Sequence, residues 1–221
     1  MYHGDVMDAL SQCVRGIFRA PKGKKLISCD FSAIEARVLA WLAGEKWKLD
    51  VFRTHGKIYE ATAAKIFGVP FESIGKGSEL RQRGKVAELA LGYEGSVGAM
   101  LQMGGDKLNL SEGEMKRIIT AYRKANPAIV AFWRALEKAF KDAILTKREV
   151  KVNRYISIRY LGDWVAIRLP SGRDLMYYKA HLSNGSIRYL GDTIKGFQRI
   201  DTYGGKICEN VVQAVLSRFR T

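Results

Sequence analysis

The pattern of apolar residues changes near residue 149, and this change constrains the fold more than any other feature of the sequence. Between residues 32 and 147, apolar residues recur at helical spacing in segments that end near Gly or Pro. From residue 163 to 201, the stretch "DWVAIRLPSGRDLMYYKAHLSNGSIRYLGDTIKGFQRID" has short apolar runs separated by "PSG", "SNG" and "LGD". Such runs are typical of an antiparallel meander of hairpins. We therefore predict an α+β fold, in which a mostly helical region precedes a small antiparallel sheet.

Capping and turn residues predict where the individual elements begin and end. The segment "KKLISC" predicts a strand that ends at Asp30, and "SAIEARVLAWLAG" predicts a helix that Ser32 caps and Gly44 ends. The other predicted helices are "KIYEATAAKIFGVP", "ELRQRGKVAELALGYEG", "SVGAMLQMGG", "SEGEMKRIITAYRKAN", "PAIVAFWRALEKAFKDAILTK" and "GGKICENVVQAVLSRFRT". A capping-box pattern begins at Ser111, and Pro127 suits the first position of a helix.

The chain is strongly basic, with 37 Lys and Arg residues against 22 Asp and Glu residues, for a formal charge of +15. This excess favours a polyanionic partner, with nucleic acid as the first candidate and a membrane surface as the second. We expect neither a signal peptide nor a membrane span, because no apolar run approaches the required length. Cys13, Cys29 and Cys208 are far apart in the sequence. We expect reduced thiols and a cytoplasmic location.

The stretch "DFSAIEAR", residues 30 to 37, places an acid where an apolar run ends and a helix begins. One interpretation is that Asp30 caps the helix or a strand-end turn. The other is that Asp30 holds a metal ion, because hard divalent cations take oxygen ligands. The segment alone favours capping, so the choice depends on the rest of the chain.

A stripe of side chains along "RQRGKVAELALGY" carries most of the functional signal. Arg81, Lys85, Leu89 and Tyr93 follow one another at intervals of four residues, which places them along one helix face. Cations near a helix N-terminus oppose the helix dipole, and an anionic ligand there would explain them. A nucleoside triphosphate fits, with its phosphates at the cations. The alternative is a solvated basic face with Leu89 and Tyr93 in the core.

Both segments resemble motifs of the family A DNA polymerases. "DFSAIEARVLAWLAGE" resembles the first catalytic motif, and "RQRGKVAELALGYEG" resembles the second, on the fingers helix. "VVQAV" resembles the segment before the third motif, and the likeness is greatest to phage-type members. The resemblance implies a palm segment over residues 1–50, helical fingers over 51–148, and a hairpin region with a helix of the palm over 149–221.

The resemblance implies a role for Asp30 as ligand of two magnesium ions, assisted by the backbone carbonyl of Phe31. It also implies that Arg81 and Lys85 bind the triphosphate of an incoming dNTP, with Lys85 a candidate proton donor to pyrophosphate. Four further residues would complete the nucleotide-binding site, beside the sugar, the phosphates or the templating base: Glu35, Tyr59, Leu89 and Tyr93. Glu35 would lie beside the sugar and contact Tyr93, so that the pair blocks a ribose 2′-hydroxyl. Gln213 and Arg15 are expected to contact the primer-template DNA.

This sequence departs from the family pattern at three of its positions. Ala33 stands where the family often has Gln, Tyr59 where it often has His, and Leu89 where it usually has Phe. The first two departures affect the phosphate-binding region. The third affects the face that meets the sugar.

We expect the chain to be a fragment, because the His-Asp-Glu hairpin of the third motif does not follow Gln213. The two-metal site would then be incomplete, and a second chain could supply the missing palm and thumb. The prediction is a polymerase fragment that is inactive alone. The alternative from another class is a non-catalytic, basic DNA-binding remnant of a prophage polymerase. A single-subunit RNA polymerase is opposed by Glu35, and a P-loop NTPase by Gly77, which stands where Ser or Thr is required.

Overall fold

The computed structural model describes residues 6–217, apart from the side chains of Asp8 and Arg15. Within these residues the chain has an α+β fold, as predicted. The α-helices, in chain order α1 to α9, are Val6–Ile17, Ile34–Ala43, Lys46–Arg53, Ile58–Phe67, Glu79–Leu91, Val97–Gln102, Glu112–Ala125, Pro127–Thr146 and Gly204–Leu216. Short 3-10 helices lie at Phe71–Ser73 and Asp106–Leu108.

The strands form one six-stranded antiparallel sheet within the described residues, and its order is the order of the sequence. The strands β1 to β6 are Val150–Lys151, Ser157–Leu161, Trp164–Arg168, Asp174–Ser183, Ser186–Thr193 and Gly196–Thr202. Each strand pairs with the one before it, so the predicted meander is confirmed.

One of the predicted turns is wrong. The "LGD" at residues 190–192 lies inside β5, and the chain turns after Thr193 instead. Gly191 pairs with Gln198, and a Cβ at Gly191 would lie 2.9 Å from side-chain atoms of both Ile200 and Tyr189. This glycine therefore makes room for two neighbouring side chains instead of making a turn.

By their internal contacts the described residues fall into two compact units, the first ending at Ser32 and the second beginning at Ala33. In the first unit the structure has helix α1, which the sequence did not predict. The strand predicted over "KKLISC" is wrong, because residues 24–30 have no strand assignment. Leu26 and Ile27 are exposed. An apolar run becomes a strand only where another strand pairs with it.

The second unit contains two apolar cores. The larger core gathers α2, α8, α9 and one face of the sheet, and Trp133 and Phe140 of α8 lie at its centre. The smaller core gathers α5, α6 and α7 around Met100 and Ile118. Helix α8 thus packs with the sheet, although the sequence grouped it with the helical region.

Most predicted helix ends agree with the structure. Gly44 and Gly68 end α2 and α4 in the left-handed conformation, and Ser111 forms the full capping box of α7. The predicted cap of α2 is wrong, because Ala33 occupies the N-cap position, at φ 49°. No helix among residues 6–217 is long and apolar enough to cross a membrane.

Candidate functional site

Helix α5 carries the predicted nucleotide-binding stripe, and close packing against α4 fixes its position. Ser78 caps the helix by accepting a hydrogen bond from the Arg81 amide at 3.3 Å. The two helices cross at Gly84, where a Cβ would lie 2.3 Å from the backbone oxygen of Tyr59 and 2.9 Å from the Cβ of Ala63. Only a glycine permits this approach. The crossing therefore sets Arg81 beside the first turn of α4.

Lys85 and Leu89 lie on the solvent-facing side of α5 and line an open cavity of about 590 Å³. The interpretation that Leu89 belongs to the core is wrong, because 42% of the residue is exposed. The other residues around the cavity include polar and apolar side chains from α5, from the end of α6 and from the segment after it: Gln82, Leu101, Gln102, Met103, Asp106 and Lys107. The cavity thus offers the cations Lys85 and Lys107 and the acid Asp106 beside an apolar surface.

Arg81 lies next to this cavity-facing pair on the same helix but is engaged with α4. Its Nε donates a hydrogen bond to Oε1 of Glu60 at 2.9 Å. The guanidinium carbon lies 5.5 Å from the centre of the Tyr59 ring. Burial raises the pKa of the Tyr59 hydroxyl, the charge of Glu88 adds to this, and the charge of Arg81 acts in the opposite direction. The structure thus brings the side chains of Tyr59 and Arg81 together.

Glu35, Tyr93 and Gln213 meet at the far end of the stripe. Gln213 of α9 donates a hydrogen bond from Nε2 to Oε1 of Glu35 at 2.7 Å. Burial raises the pKa of Tyr93, and the nearby charge of Glu35 is the next cause. Glu35 was predicted to contact Tyr93. Within residues 6–217 the buried Tyr93 hydroxyl has no hydrogen-bond partner. The Glu35 carboxylate accepts its hydrogen bond from Gln213 instead.

Close glycine packing holds this end of the site together. A Cβ at Gly205, in the first turn of α9, would lie 2.3 Å from the backbone oxygen of Tyr93. The Gly205 amide donates a hydrogen bond to Glu94 Oε2 at 2.9 Å. The indole of Trp133 donates one to the Gly92 carbonyl, also at 2.9 Å. Helices α8 and α9 therefore fix the backbone at Tyr93.

Near the middle of α5, Glu88 belongs to a buried ionic network that the sequence did not predict. Lys48 of α3 is fully buried and forms an ion pair with Glu88 of α5 at 2.5 Å. Lys48 also donates a hydrogen bond to the Tyr122 hydroxyl at 3.1 Å, and Thr62 donates one to Glu88 Oε2 at 2.8 Å. The only sequence signal is that Glu88 interrupts the apolar run "VAELAL".

Asp30 and Phe31 lie in the first unit, at the end of the extended segment, and both are exposed. A carboxylate and a backbone carbonyl are hard oxygen donors, so they fit a magnesium ion in type. Among residues 6–217 no group of three or more His, Cys, Asp or Glu residues is placed to hold a metal ion. The side chain of Arg15, a predicted DNA contact, lies outside the described part of the chain.

The comparisons with known proteins agree with the motifs. The profile of DNA polymerase family A matches residues 5–162, which is more than half of the chain. The chain therefore belongs to the family A DNA polymerases, and the family prediction is confirmed.

Its relatives include both phage and bacterial enzymes. The DNA polymerase of Bacillus phage SP02 is 48% identical over 97% of this chain and 34% of its own length. DNA polymerase I of Pseudomonas aeruginosa is 30% identical over 61% of this chain and 15% of its own. The thermostable DNA polymerase I of Thermus aquaticus is 30% identical over 62% of this chain, which is 15% of the length of that polymerase. The chain thus spans about a third, or less, of the length of these relatives.

Proposed function

We propose that this chain is part of a template-directed DNA polymerase and that its helical region binds the incoming dNTP. One observation carries the proposal. On α5 Lys85 and Leu89 are exposed, and the side chain of Arg81, one turn before Lys85, is 21% exposed, whereas Glu88 is buried and paired with Lys48. Two accessible cations one turn apart beside an apolar surface suit a triphosphate joined to a nucleoside.

The roles of the individual residues follow from their chemistry. Arg81 and Lys85 would bind the phosphates, and Lys85 would give a proton to the departing pyrophosphate. The apolar surface of Leu89 would meet the sugar. Glu35, held by Gln213, would exclude a ribose 2′-hydroxyl by occupying the space beside the sugar. Tyr93 would support the templating base.

Metal binding and DNA binding complete the proposed function. Asp30 and the Phe31 carbonyl would hold Mg²⁺, which activates the primer 3′-hydroxyl and stabilises the leaving pyrophosphate. Gln213 and Arg15 would contact the primer-template, and the cytoplasm of a bacterial host is the proposed location. In domain terms, residues 1–50 would belong to the palm, 51–148 to the fingers and 149–221 again to the palm.

The resemblance assigns one metal-binding carboxylate to this chain, Asp30, and two-metal transfer uses more than one. We therefore expect the purified chain to bind nucleotide without extending a primer, with a further polypeptide supplying the rest of the palm and the thumb. A primer-extension assay with Mg²⁺ and all four dNTPs measures this. Extension products longer than the primer would contradict the expectation.

Nucleotide binding is tested by titrating the chain with a fluorescent dATP analogue in the presence of Mg²⁺. Because a hydrogen bond to a charged group contributes about 1.5–3 kcal/mol, Arg81→Ala and Lys85→Ala should each weaken binding roughly 10–100-fold. Arg83→Ala is the matched control, because Arg83 lies on the same helix and pairs with the exposed Glu79. Equal dATP affinity in the wild-type protein and these three variants would refute the proposal.

The high positive charge also suits the alternative, a DNA-binding protein without catalytic function. Under that alternative, DNA affinity would fall steeply with salt, and dNTPs would have no measurable affinity. Asp30→Ala would leave DNA binding unchanged. The same protein preparation therefore distinguishes the two functions, through the presence or absence of saturable dATP binding.

A further inference from the structure

Glu60 is an acidic residue placed beside a cation that is proposed to bind phosphate. It lies in the first turn of α4, and 10% of its side chain is exposed. Its Oε1 accepts a hydrogen bond from Arg81 Nε at 2.9 Å. The Arg81 side chain is 21% exposed. An acid at this place repels phosphate, so its presence next to Arg81 calls for a physical explanation.

The atom that Glu60 binds supplies the explanation. A guanidinium has one inner nitrogen, Nε, and two outer nitrogens that form its fork. Glu60 engages Nε, and within residues 6–217 no hydrogen bond of the outer nitrogens is found. The carboxylate therefore fixes the plane of the guanidinium while the two outer nitrogens stay available. An arginine fixed in this way loses less conformational entropy when it binds a phosphate in a bidentate manner.

Glu60 itself is held in a defined place by the packing of α4 against α5. The preceding residue, Tyr59, provides the backbone oxygen that approaches Gly84, and the Tyr59 ring lies beside the guanidinium. The carboxylate, the ring and the guanidinium are thus carried by two helices that cannot easily separate. A side chain so constrained can orient its partner, whereas a mobile surface acid cannot.

We propose that Glu60 is a positioning residue, which orients the Arg81 guanidinium for bidentate binding of the dNTP phosphates. The proposal rests on the proposed function, in which Arg81 binds the triphosphate. Glu60 does not touch the nucleotide, and its favourable effect on binding passes entirely through Arg81. It follows that the benefit of orientation exceeds the cost of placing a negative charge near the phosphates.

The test is a double-mutant cycle on Glu60 and Arg81, read as the affinity for inorganic tripolyphosphate and for dATP with Mg²⁺. Since residues in direct contact are energetically coupled, Glu60→Ala should weaken binding of both ligands roughly 3–10-fold. Glu60→Gln should lose less affinity than Glu60→Ala, because the glutamine amide oxygen still accepts a hydrogen bond from Arg81 Nε. In the Arg81→Ala protein, adding Glu60→Ala should cause no further loss of affinity, because only the repulsion between the acid and the phosphates is then removed.

Glu79→Ala serves as the matched control, because it removes the acid that pairs with Arg83 on the same helix and should leave both affinities unchanged. Circular dichroism and thermal melts of each variant report whether the fold is kept. Tighter binding by Glu60→Ala would show that Glu60 competes with phosphate, which overturns the inference. The inference would also be overturned if Glu60→Ala lowered the affinity equally in the wild-type and in the Arg81→Ala protein, because Glu60 would then have a purely structural role. An Arg81→Ala protein that binds dATP normally would instead remove the proposed function itself.

Discussion

Lys48→Met is expected to destabilise the chain by about 3–5 kcal/mol, because it leaves the Glu88 carboxylate buried without its cation. Lys48 is fully buried, and the Glu88 side chain is 2% exposed. Methionine fills a similar volume, so the loss comes from the charge and not from a cavity. The hydroxyl groups of Thr62 and Tyr122 remain but cannot replace an ammonium group. Urea denaturation at neutral pH measures the free energy of unfolding.

Two further variants establish that the buried charge is the cause. Lys48→Met combined with Glu88→Gln should recover at least half of the lost stability, because the neutral amide can still accept the hydrogen bond from Thr62. Lys116→Met removes the cation of an exposed pair with Glu112, both side chains being 67% exposed, and should change the unfolding midpoint little. If Lys48→Met and Lys116→Met behaved alike, the network would not stabilise α5.

Gly84→Ala is expected to destabilise the chain by about 3 kcal/mol, at the upper end of the usual cost of overpacking. The new methyl group would lie 2.3 Å from the Tyr59 backbone oxygen, and a backbone atom cannot move aside as a side chain can. The gain in helix propensity from Gly to Ala, about 1 kcal/mol, is smaller than this clash. Separation of α4 from α5 should also move Glu60 away from Arg81 and weaken dATP binding.

The measurements are a thermal melt and a dATP titration of the same preparation. Gly113→Ala is the control, because Gly113 lies in α7 and a Cβ there would have no atom within 4 Å. That substitution should be neutral or slightly stabilising. A Gly84→Ala protein with unchanged melting temperature and unchanged affinity would mean that the two helices do not need their close crossing.

The sequence was informative where one short segment determines the outcome. The capping box at Ser111 and the glycines that end α2 and α4 act within a single turn, and the structure has them as predicted. The stripe on α5 is also a local pattern, and Lys85 and Leu89 do share its exposed face. Helix α3 was missed because its buried residue is Lys48, which reverses the usual relation between charge and exposure.

Contacts between distant segments could not be predicted in this way. Glu60 and Arg81 are separated by 21 residues, and Lys48 and Glu88 by 40. Nothing in either segment indicates that the partner lies nearby. Another example is Glu45, whose carboxylate accepts hydrogen bonds from the Ala128 and Ile129 amides at 2.9 and 3.3 Å and so caps α8 from outside.

The sheet has a consequence for the order in which the chain acquires structure. Its strands pair strictly with their neighbours in sequence, so each pairing closes only a short loop and the local contact order is low. Such a meander can grow one hairpin at a time as the polypeptide leaves the ribosome. Helix α9, which bears Gln213, follows the sheet in the sequence and would dock on a sheet and an α8 that are already formed. We therefore expect the hydrogen bond between Glu35 and Gln213 to form after the sheet.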